Sequence, residues 1–241
     1  MAQNPPLISI ITVTYQAAKT LVRTINSVAT QVSVYEYIVI DGGSTDGTLD
    51  IIRSNQHMIG YWSSESDKGI YDAMNKGIAK ATGQWVYFLG ADDALRPDIL
   101  KVMLPILSTS GSMLIYGDVK YDYGKYFRSE FSLLTILHNT IHHQASFYKR
   151  SLFSSFSYDA SLKIIADYEL NLIIYLQKIH HSRINQLIAD CSGGGNSYNV
   201  ELSLLETNAI RKKHVGTIVN FFLTKILKVK YLISYVLLRK I

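Results

Sequence analysis

The chain has 241 residues, 48% of them hydrophobic, enough to bury a large core as one α/β unit with an appendage. After Glu206 there are eight bases and no acids, so residues 1–206 (sixteen bases, nineteen acids) carry −3 and the remainder +8 of the net +5. Basicity is thus a property of the tail and gives no support to nucleic-acid binding by the body. A single cysteine, Cys191, excludes an internal disulfide, and a polar start running straight into a strand reads as no signal peptide; the reducing cytoplasm is the expected compartment.

In chain order, Leu7–Thr14 is β-branched and apolar, the pattern of a buried strand. Residues 17–30 carry Leu21, Ile25 and Val28 at helical spacing, and Tyr35–Ile40 is a second strand ending at Asp41. Together these predict a right-handed βαβ unit. The turn Asp41-Gly-Gly-Ser-Thr-Asp-Gly-Thr48 lacks both the dinucleotide glycine spacing and the Walker lysine, with Ser44 or Thr45 expected to cap the helix that follows. Asp41 is a carboxylate at a strand end, able to accept hydrogen bonds from a base or ribose.

Residues 59–62 read as a short strand and Ile70 onward as a helix, with Asp67, Lys68 and Gly69 at its N-terminus, a place that favours phosphate. Lys76 reads as solvated surface. Trp85–Leu89 is apolar enough to lie in the middle of a parallel sheet and leads into Asp92 and Asp93. Adjacent carboxylates need a cation or hydrogen-bond donors, and hard oxygen ligands suit Mg²⁺ or Mn²⁺. The competing reading of Asp92 is a cap on a helix beginning near Pro97.

Four segments, Ile10–Tyr15, Ile38–Thr48, Asp67–Gly77 and Phe88–Asp93, in this order and spacing, resemble family 2 glycosyltransferases of the GT-A fold. The closest resemblance is to small bacterial enzymes of O-antigen, capsule or exopolysaccharide synthesis. It implies a mostly parallel central sheet flanked by helices, and a nucleoside-diphosphate sugar as donor, a UDP-sugar favoured. It also implies roles: Thr14 and Tyr15 on the nucleotide side, with Tyr15 stacking on the base; Asp41 holding the base; Lys68 near base or diphosphate; Asp92 and Asp93 on ribose and metal. Such enzymes often carry a further acid where Gly90 stands here, so both Asp92 and Asp93 remain candidate metal ligands.

Beyond the motifs, Met113–Asp118 reads as a strand ending in a weaker site candidate, and Tyr121–Phe127 as an aromatic hairpin able to pack or to stack on sugar rings. His142–Tyr148 reads as a strand, which would point its two histidines to opposite faces. His143 and Gln144 resemble a segment lining the acceptor cleft. Asp167, near the start of a helix, matches the family's general base, with Glu169 as fallback. Ser192–Ser197 is a glycine-rich loop, either a lid over the donor or a linker. Residues 200–215 read as a helix.

The expected organisation is a glycosyltransferase domain over 1–206, divided into a nucleotide-sugar half (1–118) and an acceptor half (119–206), then a basic amphipathic helix over 207–241. In the latter, Lys225, Lys228, Arg239 and Lys240 share an arc of roughly 120°, suited to an anionic leaflet on the cytoplasmic side of the membrane and to a glycan or lipid-linked acceptor. Two rivals stand beside this: a sugar-1-phosphate nucleotidyltransferase, disfavoured because Tyr15–Lys19 is not its basic glycine loop, and a non-catalytic sugar-nucleotide-binding scaffold.

Overall fold

The computed structural model describes residues 5–32, 34–193 and 199–238, with side chains to residue 230. Its elements are β1 (Ile8–Thr14), α1 (Leu21–Ala29), β2 (Tyr35–Asp41), α2 (Thr48–Ser54), β3 (Tyr61–Ser64), α3 (Ile70–Lys80), β4 (Trp85–Gly90), β5 (Ala94–Leu95) and α4 (Ile99–Thr109). There follow β6 (Leu114–Tyr121), β7 (Tyr126–Arg128), β8 (Ser146–Lys149), α5 (Ala166–Leu176), β9 (His181–Cys191), α6 (Val200–Val215) and α7 (Thr217–Leu238).

One sheet runs in the order β3-β2-β1-β4-β8-β6-β9-β5, with β7 beside β6. Its first four strands are parallel, and β1 pairs in register with β2 on one side and β4 on the other. Because the strand order reverses about β1, the carboxyl ends of β1 and β4 flank a crevice, where open α/β sheets hold ligands. The central place expected for β4 is observed, but parallel pairing stops there: its other neighbour, β8, is antiparallel.

The period-2 geometry of strands explains the layering. From β1 and β4, Ile8, Ile10, Trp85, Tyr87 and Leu89 point to one face and pack with Leu21, Ile25 and Met103 of α1 and α4. Ile11, Val86 and Phe88 point to the other and pack with Tyr71, Met74 and Leu170 of α3 and α5. Gly77 lets α3 approach β1 closely, since a Cβ there would overlap Ile11.

Several local expectations differ in detail. Ser44 and Thr45 do not cap α2, whose N-cap is Gly47 in the left-handed region (φ 100°). The helix after β5 starts at Ile99, not Pro97, and its N-cap is Asp98, so neither Asp92 nor Asp93 is a cap. His142 leads a 3₁₀ turn over His143–Ala145, and the strand begins only at Ser146, so the two imidazoles lie side by side rather than on opposite faces. Lys76 is not free in solvent but pairs with Glu65 (3.0 Å) and Asp72 (3.3 Å). Asp118 is held by Arg183 at 2.9 Å and accepts from the Ser129 amide, which makes it part of the scaffold.

The α6 helix has the expected bounds and runs unbroken across the 206/207 division. It ends at Gly216 (φ 80°), a conformation other residues rarely adopt. The α7 helix folds back along α6 through a polar seam, in which Asn220 and Thr224 bond Asn208 and Arg211 donates to Thr224 Oγ1 (2.9 Å). Arg211 is wholly buried and also donates to the Leu137 carbonyl (3.0 Å), tying α6 to the body.

Candidate active site

The crevice is a cleft of about 1030 Å³ bordered by both halves of the chain. From the parallel part of the sheet and its turns it is lined by Thr14, Tyr15, Gly42 and Asp67, after β4 by Asp92 and Asp93, and from the later part of the chain by Asn139, His143 and Asp167. Tyr15, at the end of β1, is 64% exposed and offers an open ring face. Thr14 is buried, and its hydroxyl lacks a hydrogen-bond partner.

Asp41 is placed differently from a ligand-facing group. It is wholly buried, accepting from the Gly43 amide (3.0 Å), the Ser44 amide (2.9 Å) and hydroxyl, and the Ser64 hydroxyl (2.7 Å). It does not line the cleft; it closes the glycine turn so that the next residue, Gly42, does. A Cβ on Gly42 would stand 2.6 Å from Asp67 Oδ2, so the bare backbone and that carboxylate meet at the wall. Asp67 therefore presents an acid to the cleft, and its position just before the helix N-terminus was the available sequence signal.

Lys68 is exposed and outside the cleft lining. Its place there is taken by Lys163 from the acceptor half, whose Nζ donates to the Lys68 carbonyl at 2.8 Å and so spans the two halves. No periodicity marks such a contact, because it joins residues 95 positions apart.

The two aspartates at the end of β4 have different surroundings. Asp92 is partly exposed to the cleft, whereas Asp93 is 3% exposed and accepts from Gln144 Nε2 (2.8 Å) and the Ser192 amide (2.9 Å). Burial first, and the Asp92 charge second, push the Asp93 carboxyl up to about 6. A Cβ on Gly90 would overlap Asp93 Oδ2, so the glycine makes room for the carboxylate pair. Among the described residues no three His, Cys, Asp or Glu side chains converge on one point. A divalent ion here would therefore take one open carboxylate, Asp92, and find its other oxygens in a bound ligand and water, the usual habit of Mg²⁺.

On the acceptor side, Asp167 lies in the first turn of α5, 6% exposed, where the helix dipole favours its charge. It accepts from Asn139 Nδ2 (2.8 Å) and Tyr71 Oη (3.3 Å), and His143 Nδ1 lies 3.5 Å away. Neither Asn139 nor Tyr71 was marked as a site residue in the sequence. No side chain caps α5; instead Glu206 of α6 accepts from the three backbone amides before it, Lys163 (2.6 Å), Ile164 (3.0 Å) and Ile165 (3.1 Å). Glu169 points away from the cleft and is held by Lys213 and His214, each at 2.7 Å. Of the glycine-rich loop, Ser192 and Gly193 line the cleft; residues 194–198 lie outside the described residues.

His142 stacks on His143 (centroids 5.7 Å apart, 15° between planes) and bonds Tyr121 Oη at 3.1 Å. Burial, and secondarily the neighbouring His143, lower its pKa from 6.5 to about 3, so it is neutral in the fold. The unfolded chain then binds a proton below pH 6.5 that the native state refuses, so this contribution to stability is present above 6.5 and lost as pH falls towards 3. By pH 5 the loss is about 2 kcal/mol. His142→Gln, which cannot titrate and can still accept from Tyr121, is expected to lose that much less stability than wild type between pH 7 and pH 5 in urea unfolding. Equal losses would mean that His142 is hydrated.

Residues 9–163 match the family described as Glycosyl transferase family 2. The chain is 37% identical over 179 residues to a PGL/p-HBAD biosynthesis glycosyltransferase of Mycobacterium bovis, covering 69% of each. It is 31% identical over 131 residues to the glycosyltransferase AglE of Haloferax volcanii, covering 51% of this chain and 42% of the other. Among solved structures it superposes on residues 1–349 of S. aureus TarS in complex with UDP-GlcNAc with a TM-score of 0.70 at 20% identity, covering 84% of this chain and 64% of that one. The mannosyltransferase PcManGT from Pyrobaculum calidifontis, in complex with GDP-Man and Mn²⁺, gives 0.60 at 16% identity, covering 88% and 62%. The chain thus spans less than two thirds of either solved protein, and both share its fold. A strand-end cleft with its acids at the end of β4, on a chain matched over most of its length, makes this protein a glycosyltransferase of family 2.

Proposed function

We propose that the protein transfers a sugar, with inversion, from a nucleoside-diphosphate sugar to a hydroxyl of a glycan or lipid-linked glycan in bacterial surface polysaccharide synthesis. The observation that carries this is the set of groups lining one cleft: an open aromatic ring (Tyr15), an acid against the Gly42 backbone (Asp67), a partly exposed acid after β4 (Asp92) and a buried acid in the first turn of α5 (Asp167). Together these groups suit a base, a ribose and diphosphate, and an acceptor hydroxyl. The ligands named for the two solved neighbours, UDP-GlcNAc in one and GDP-Man with Mn²⁺ in the other, support a nucleotide-sugar donor, with UDP favoured. The relative's name, a PGL/p-HBAD biosynthesis glycosyltransferase, supports a cell-envelope setting.

Inversion requires a single displacement. Asp167 takes the proton of the acceptor hydroxyl as its oxygen attacks the anomeric carbon and the nucleoside diphosphate leaves. Asn139 and Tyr71 hold the Asp167 carboxylate by hydrogen bonds, and His143 stands beside it at the acceptor. Tyr15 stacks on the base, Asp41 fixes the turn that presents Gly42 to it, and Asp92 faces the diphosphate. A Mg²⁺ or Mn²⁺ on Asp92, when bound, offsets the charge of the departing diphosphate. Asp93 positions Gln144 and Ser192 around that centre.

Calorimetric titration of UDP, GDP, dTDP and CDP, with and without Mn²⁺, tests the reading. One nucleotide is expected to bind in preference and more tightly with the ion. Failure of all four in folded protein would overturn the transferase reading and favour a scaffold. Donor binding without turnover on any glycan acceptor would also favour the scaffold.

A further inference from the structure

We propose that the outer face of α7, together with the neighbouring 3₁₀ turn Leu133–Ile136, forms a single surface that lies flat on a bilayer containing anionic lipids, and that the cleft opens towards it at its acceptor end. The inner face of α7 is accounted for, since Asn220, Thr224 and Leu227 pack against the body. Half a turn away, Ile218, Phe222, Ile226 and Val229 recur at the spacing of one helix face, and all are exposed, Ile218 at 77% and Phe222 at 60%. A contiguous row of large apolar groups aimed away from the core marks an interaction surface.

The second part of the surface lies beside it. Lys230 Nζ meets His138 Nε2 at 2.7 Å, and His138 closes the turn in which Leu133 (79%) and Leu134 (52%) are exposed. The basic rim suits an anionic partner: Lys225 stands over the Phe221 ring at 4.3 Å, Lys228 is exposed beyond it, and no acid follows Glu206 in the chain. A second copy is the poorer occupant, because a twofold interface would set one basic tail against another. Among the described residues no helix is long and apolar enough to cross a membrane, which fits a helix lying in the interface plane.

The location matters to the site. Asn139, one residue beyond His138, donates to Asp167, so the surface and the acceptor-side acid share one short segment. This last step rests on the transferase reading; the surface itself does not.

The test uses the full chain and vesicles of phosphatidylcholine alone or with about a third phosphatidylglycerol. Wild type is expected to co-sediment with the anionic vesicles in a salt-sensitive manner. Phe222→Glu with Ile226→Glu, and separately Leu133→Glu with Leu134→Glu, are each expected to weaken that binding by roughly tenfold or more. Circular dichroism and nucleotide titration should match wild type in both, which separates this surface from the donor site. Absence of vesicle binding, or equal binding by both variants, would overturn the proposal. So would a wild-type dimer that Phe222→Glu converts to monomer without vesicle binding, since the face would then belong to a second copy.

Discussion

Asp167→Asn is expected to lower kcat by two to four orders of magnitude while leaving the KM for the donor nearly unchanged, the range by which a positioned general base accelerates proton transfer. The substitution keeps an acceptor oxygen for Asn139 and a polar group beside Tyr71, so the pocket stays packed and only the basicity is removed. Initial rates against donor concentration, with circular dichroism as a check on folding, decide the matter. An unchanged kcat would remove Asp167 from catalysis and leave His143 as the nearest group able to accept the proton; Glu169 is excluded from that role because Lys213 and His214 hold it outside the cleft.

The second large effect is expected at Asp92. Asp92→Ala should abolish the Mn²⁺-dependent gain in nucleotide affinity and cut turnover by about 10³-fold, because it removes the one carboxylate at the centre that faces open space. Asp93 cannot stand in for it: both of its oxygens already accept, one from Ser192 and one from Gln144. Asp93→Asn is expected to retain ion-dependent binding in the same titration. If the two variants behaved the other way round, Asp93 would be the ligand and the buried pair would have to rearrange on binding.

The elements carrying donor motifs were legible because each is a local pattern. Alternating or unbroken apolar runs gave β1, β2 and β4, and spacing of three and four gave α1 and α3. Even the pairing of acids with strand ends followed from chain order. What stayed hidden depends on partners far away in sequence. Asp41 has every mark of a ligand-facing acid, yet two residues of its own turn, Gly43 and Ser44, and Ser64 surround it. Asp118 reads as a strand end like Asp41, yet β6 continues through it to Tyr121 and Arg183, 65 residues on, takes it up. The 3₁₀ turn at His143 was masked by a sequence whose composition suits a strand, and only its geometry sets the two imidazoles in parallel. Asn139 and Lys163 had no local signal, since each matters only through a residue on another element.

The Glu206 carboxylate also says where this enzyme can be divided. The family match ends at residue 163, the first of the three amides that Glu206 receives, and Asp167 lies beyond it. A chimera that joined residues 1–163 to another transferase at that boundary would sever the brace from the segment it holds. The segment before α5 and the helix α6 behind it therefore have to be exchanged together, as one cassette.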